Sequence, residues 1–309
     1  MTPSLFSRFQ GCLLMTFLAS GNDPAIDEAA ITSQLQSWGQ MFHAHPYQEF
    51  LPEQSWDANN ILWPTPAAFC QWLVVLALWH HENPRGFSRD LGRGAEQFPR
   101  HFPHHPLSPL DQVDQTWLHR WQRLLTLILS ERFTLAQWPA LWRSPFWGDS
   151  PILTESMKKK EQQNLMAIAT ALDPHQTPHF AQVSPDQTPL ADQIPRAIYH
   201  WAVSPTQPRF TLLQCRADSV APLMVPFTAA LSGAYNGETI VRQALGENLV
   251  PHAALIGLIN QFTQQHFLQW SGSLSAASTV SSLTNAAPLV MQRRSSLKLV
   301  SQRDYGPFA

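Results

Sequence analysis

The chain has 309 residues and a net charge of −2, so no global basic field is present to hold nucleic acid. The length is enough for one large domain with a sizeable core. Only 14% of residues are charged, against roughly 25% in an average soluble domain, and 12 Trp, 26 Pro and 13 His help to fill the gap. A Trp-rich, charge-poor surface would favour a protein partner.

Cys12, Cys70 and Cys215 are odd in number and far apart, with no CxxC pair. That speaks against a disulfide framework and a zinc knuckle, and fits a reducing, cytoplasmic setting. From Arg8, the apolar run Gly11 to Leu18 leads to Ala19, Ser20 and Gly21. Two readings stand: a buried first helix closed by the Gly21–Pro24 breaker, or a weak secretory signal with a small-residue cleavage site. The single basic residue and the lack of paired cysteines favour the helix. No apolar run approaches the ~20 residues that span a bilayer.

Ile26, Ala30, Ile31, Leu35 and Trp38 predict a helix over 25–43, with Asp27 and Glu28 in its first turn. Residues 44–66 read as loop. From Ala67 to His81, Phe69, Trp72, Leu73, Leu76 and Trp79 form a broad apolar face, and Val74, Val75 and Leu78 extend it nearly all round, which predicts a central helix. Glu82, Asn83 and Pro84 end it. Residues 83–109, rich in Gly, Pro and His, read as an irregular connection.

Asp111 to Ser130 reads as an amphipathic helix on Val113, Trp117, Trp121, Leu124, Leu125 and Ile128. A short helix is predicted from Phe133 to Trp142 before Pro145, and another from Met157 to Leu172 with Lys158–Lys160 exposed at its start. A polar, Pro-rich loop over 173–190 follows. Ile194 to Val203, Val220 to Tyr235 and Leu249 to Trp270 read as helices, with Pro222 and Pro226 kinking or breaking the second. Ser271 to Ala287 reads as a flexible Ser/Ala linker, and Arg293, Arg294, Lys298 and Arg303 mark a mildly basic tail. Without strand pairs or a repeat of roughly 20–50 residues, the class is all-α: one large helical domain over 1–270 and a tail over 271–309.

Two stretches carry a resemblance. Arg8, Gly11 and the small-residue apolar run after them match the start of an Arg then Gly-x-x-x-Gly-x-x-x-Gly-Asp-Ala pattern, with Met15, Ala19 and Ser20 at the later Gly and Asp positions. Ile194 to Trp201, Ser204, Pro205 and Phe210, then Thr228 to Gly237 and Ile240, match two helices flanking a loop. In these stretches the chain resembles the ADP-ribosylglycohydrolase family, which includes the dinitrogenase reductase-activating glycohydrolases. The resemblance implies a large all-α domain. Physically, Ala229, Ala230, Ser232, Gly233 and Ala234 permit close helix approach, and Gly237 permits a left-handed closing residue.

The resemblance also implies hydrolysis of an ADP-ribosyl bond at two Mg²⁺ ions, held by an early Asp-Asp-Thr motif and a later Asp-Thr-Asp-Thr/Ser motif. Hard dications need several carboxylates to offset their charge. Counted back from Gly233 without a gap, the two later Asp positions fall on Val220 and Pro222. With a four-residue shift, Asp218 and Ser219 match and Arg216 replaces the first Asp, adding like charge. The best early match is Asp57 with Asn59 and Asn60, residues that equally well serve to turn or cap a loop. The cleft candidates are therefore Asp57, Asn59, Asn60, Arg216, Asp218, Ser219, Tyr235 and Asn236. No cofactor is expected; if the family site works, two Mg²⁺ ions would draw on Asp57 and Asp218.

Other patterns are weaker. His101, His104 and His105, with His80 and His81 upstream, could hold a transition metal but lack a completing Cys or Glu, so they read as solvated histidines, His80 and His81 at a helix C-terminus. Gly92-Arg93-Gly94 lacks a preceding strand and carries no nucleotide-binding weight. There is no Gly-x-Ser-x-Gly elbow. Lys158–Lys160 reads as a solvated helix end or an acidic-partner patch, and Arg293–Ser296 as a basic-Ser stretch.

The leading functional reading is a divergent, non-catalytic relative of this family, acting as a protein-interaction module or binding an ADP-ribose-like ligand. The alternative is an active Mg²⁺-dependent ADP-ribosyl hydrolase with a rearranged metal site. The third is a structural or assembly factor.

Overall fold

The computed structural model describes residues 3–19, 31, 33–38, 63, 65–103, 110–130, 133–143, 155–173, 180, 189–218, 222–246 and 253–270. They are mostly helical, and no strand occurs among them. Ten helices are labelled here: α1 (Leu5–Ala19), α2 (Pro66–Trp79), α3 (Pro84–His101), α4 (Gln112–Leu129), α5 (Trp138–Arg143), α6 (Glu155–Ala169), α7 (Leu190–Val203), α8 (Pro208–Ala217), α9 (Val225–Leu245) and α10 (Ala253–Trp270). The described part of 33–38 is helical too, with Leu35 and Trp38 buried. The chain divides into two units, Met1–Asn260 and Gln261–Ala309. In the second unit the described residues, 261–270, are the end of α10; the predicted linker and tail lie outside the described residues.

The run Gly11 to Leu18 lies within a core helix. Every residue of α1 from Arg8 to Phe17 is buried, and its main partner is α9. A methyl group on Gly11 would overlap the Gly233 carbonyl and lie 2.7 Å from the Gly237 carbonyl carbon; one on Gly233 would overlap the Gly11 carbonyl and lie 2.8 Å from Cys12 Cα. Backbone meets backbone there, closer than side chains would allow at the usual interaxial distance of about 8–10 Å. Arg8 is also structural: its guanidinium donates to Pro3 O at 3.0 Å and to Ile128 O at 2.6 Å. The second bond reaches a carbonyl in the last turn of α4, where intrahelical donors run out.

α9 differs from its expected form. Pro222 lies in a short 3₁₀ turn, Pro222–Met224, and Pro226 sits in the first turn of the helix, where its missing N–H costs nothing. Neither proline kinks the interior; two helical segments span Val225 to Leu245 and meet at a kink close to the expected end at Tyr235. The break is at Gly237, with φ 73° and ψ 169°, a region open essentially to glycine. Ser7 Oγ accepts the Glu238 N–H freed by this break, at 3.0 Å.

α2 is the central helix its composition predicts, with Ala68 to Leu78 all buried and Thr65 Oγ1 capping the Ala68 N–H at 3.1 Å. α3 corrects the expected irregular connection. Asn83 Oδ1 caps the Gly86 N–H at 3.0 Å, Pro84 occupies the first turn, and Phe87, Leu91 and Phe98 line one buried face. Two of its glycines serve packing: a methyl on Gly94 would lie 2.7 Å from the Trp72 ring, and one on Gly86 2.6 Å from His80 Nδ1.

α4 opens with a capping box between Asp111 and Asp114 and buries Trp117, Trp121, Leu124, Leu125 and Ile128. Arg120 pairs with Glu161 of α6 and lies 4.8 Å above the Trp117 ring. Lys158 and Lys159 are exposed as expected, but Lys160 pairs with Asp192 of α7 at 2.7 Å. Among the described residues, eight tryptophans correct the reading of a Trp-rich surface. Trp38, Trp63, Trp72, Trp117, Trp121, Trp138, Trp142 and Trp201 are all buried, so they build the core.

Candidate functional site

The family-like stretch forms α7, α8 and the first half of α9. Arg196, Tyr199 and His200 follow one another at helical spacing on α7, and Asp218 is the C-cap of α8. Asp218 Oδ2 lies 3.1 Å from His200 Nε2 and 3.4 Å from Arg196 Nη1, with all three side chains largely buried. The Arg196 guanidinium stands 4.9 Å over the Phe180 ring, which meets Tyr199 edge-on at 5.4 Å. Burial raises Tyr199 above its ordinary range, so it stays a phenol at neutral pH.

Arg216 lies near this cluster in sequence but works elsewhere. Its Nη2 donates to Ala19 O at 2.9 Å, capping the C-terminal end of α1. Cys215 Sγ meets Thr228 Oγ1 at 3.3 Å, and Thr228 donates to Ala197 O at 3.2 Å, which ties α8, α9 and α7 together. Burial, reinforced by Asp218, pushes the Cys215 thiol up to about 12. The Asn236 amide is buried and donates to Pro205 O at 2.7 Å and Ser232 O at 2.8 Å, so it clamps the turn between α7 and α8. Tyr235 stands edge-on to Trp201 at 5.8 Å, and Trp201 in turn meets Trp138 edge-on at 5.5 Å. Asp57, Asn59, Asn60 and Ser219 lie outside the described residues.

Of the sequence candidates that are described, the structure therefore places Asp218 in an ion-pair cluster, Arg216 on a helix end, Asn236 in a backbone clamp and Tyr235 in an aromatic cluster. The described residues do not fit a pair of Mg²⁺ ions. Asp218 already neutralises cationic Arg196, and a dication there would meet Arg196 as a like charge. Among the described residues no three His, Cys, Asp or Glu side chains converge as a ligand set, and no helix is long and apolar enough to cross a membrane.

The histidines also depart from the solvated reading. His80 and His81 are buried. His80 Nε2 lies 2.8 Å from Asp90 Oδ2, and Arg89 Nε donates to Asp90 Oδ1 at 2.8 Å. Burial alone would raise the Asp90 carboxyl, but its bonds to His80 and Arg89 hold it below its ordinary range. His81 Nδ1 lies 3.0 Å from Leu78 O, and its ring meets Phe9 edge-on at 5.1 Å. His101 is half-buried beside Trp63, while His104 and His105 lie outside the described residues. Sequence reasoning missed the His80–Asp90 pair. Its signal was Asp90 standing beside Leu91 and one turn after Phe87 on the buried face of α3. An acid there needs a partner.

Set against known proteins, the chain matches no protein-family model, no curated protein and no solved structure.

Proposed function

We propose that this protein is a divergent relative of the ADP-ribosylglycohydrolases that acts as a non-catalytic interaction module. The observation that carries this reading is the closed state of Asp218. It is the one carboxylate in the later motif that the shifted register retains, and it is committed to Arg196 and His200. The scaffold elements of the resemblance, meanwhile, are at work: Arg8 caps α4, and Gly11 and Gly233 bring α1 and α9 into backbone contact. This is a domain that keeps its helix crossing while the acid of its cleft serves structure.

Calorimetric titration of the full chain with Mg²⁺, and then with ADP-ribose, tests the reading. The expected result is no Mg²⁺ binding in the micromolar range and no release of ADP-ribose from an ADP-ribosylated protein. Micromolar Mg²⁺ binding that Asp218→Asn abolishes would overturn the proposal and restore the hydrolase. ADP-ribose binding without Mg²⁺ would move the module to the ligand-binding form.

A further inference from the structure

α8 and the part of α9 beyond Gly237 enclose a shallow surface groove of about 460 Å³. Its floor is apolar. Phe210, Leu213 and Ile240 line it and are 47%, 56% and 40% exposed, three of the five large hydrophobic side chains exposed to this degree among the described residues. Gln207 and Gln243 also line it. Arg209 lines it too, exposed and with no ion pair among the described residues. By contrast, Arg242 on the neighbouring turn of α9 is already paired with Glu238 at 2.6 Å. Arg209 also sits in the first turn of α8, whose N-cap Gln207 makes no side-chain bond to the helix. The guanidinium and the positive end of the helix dipole therefore favour an anion at the same end of the groove.

We infer that this groove docks an amphipathic helix of a partner protein, with its apolar stripe on Phe210, Leu213 and Ile240 and an Asp or Glu beside Arg209. Apolar faces of helices bind grooves of this kind through anchors spaced three and four residues apart. The unpaired cation selects an acidic partner over a basic one, because a like charge facing Arg209 is repelled. The inference rests on the interaction-module reading and supplies its surface.

The test uses the full chain and two fluorescein-labelled helical peptides of about 18 residues, long enough to hold helix in water. Both carry Leu at every third or fourth position; one has Glu at the end of the stripe and its twin has Lys. Fluorescence anisotropy is expected to show the Glu peptide binding more tightly than its twin. Arg209→Glu reverses that preference. Leu213→Glu and Phe210→Ser each weaken the Glu peptide by about tenfold, the effect of losing an interface anchor. Both positions are exposed, so unchanged far-ultraviolet circular dichroism confirms the fold.

Failure of both peptides to bind overturns the inference, as does equal binding of the two. Self-association of the chain that Leu213→Glu abolishes assigns the groove to a second copy and overturns it. So does displacement of the probe by a synthetic peptide of residues 289–309. Each of these results leaves the Mg²⁺ titration unaffected, so the groove can fail while the non-catalytic reading stands, and the converse.

Discussion

Asp114 joins two helix starts through one buried carboxyl group, and its protonation should be visible in the stability of the whole domain. Oδ1 accepts the Ala191 N–H at 2.7 Å at the start of α7, and Oδ2 accepts the Asp111 N–H at 3.3 Å at the start of α4. The residue is 3% exposed. Burial first, and the nearby Asp111 and Asp192 carboxylates after it, push the carboxyl up from 3.8 to about 7 against the lowering effect of those N–H bonds. The native state thus keeps a proton that the unfolded chain has released. Stability is fully present below the unfolded value and falls as pH rises from about 4 to about 7, by ~1.4 kcal/mol per unit and ~4 kcal/mol in all.

Asp114→Asn removes the titration. The amide oxygen still accepts from Ala191, but the acceptor facing Asp111 is lost, at a cost of ~1 kcal/mol. The variant should match the wild type near about pH 5 and exceed it by ~3 kcal/mol near about pH 8. Urea unfolding followed by tryptophan fluorescence measures both, since Trp117 and Trp121 lie buried on the same helix. Titrating groups remote from Asp114 are common to both proteins and cancel in the difference. A difference that does not change with pH would refute the reasoning.

The glycines give a contrast readable by thermal unfolding. Gly11→Ala and Gly233→Ala each drive a methyl into the facing backbone and should cost ~3 kcal/mol or prevent folding. Gly92→Ala, in the interior of α3 with nothing within 4 Å of the added methyl, should instead stabilise by up to ~1 kcal/mol; equal melting temperatures for the three would contradict the packing described. The thiols of Cys12, Cys70 and Cys215 are buried and pushed well above their ordinary range by desolvation. They should react with a disulfide reagent only as fast as the chain unfolds, and rapid reaction under native conditions would show that one of them is accessible.

Helices with strong local signals were legible in the sequence. α2 follows from a run from Ala67 that is apolar almost all round, and α4 from a regular Trp and Leu stripe behind Asp111. Both depend on spacing and capping within a few residues. α3 was not legible, because Gly and Pro lower helix propensity by known amounts and the loss is made good only by contacts far along the chain, such as Trp72 against Gly94. The small residues of α9 suggested a close crossing. That its partner is α1, and that it bends at Gly237 where Ser7 receives the freed N–H, depends on the two backbones meeting.

The cleft shows the same division. The resemblance, in its shifted register, singled out Asp218 as a candidate acid, and composition singled out the high count of tryptophans. Whether an acid is open to a ligand depends on which cations the fold brings to it, here Arg196 and His200 from a different helix. Whether a tryptophan faces a partner or the core depends likewise on which surfaces close over it. Local propensity, period and capping act over a turn or two of chain and can be read from sequence. Burial and charge pairing act across packed interfaces, and only the tertiary structure sets those neighbours.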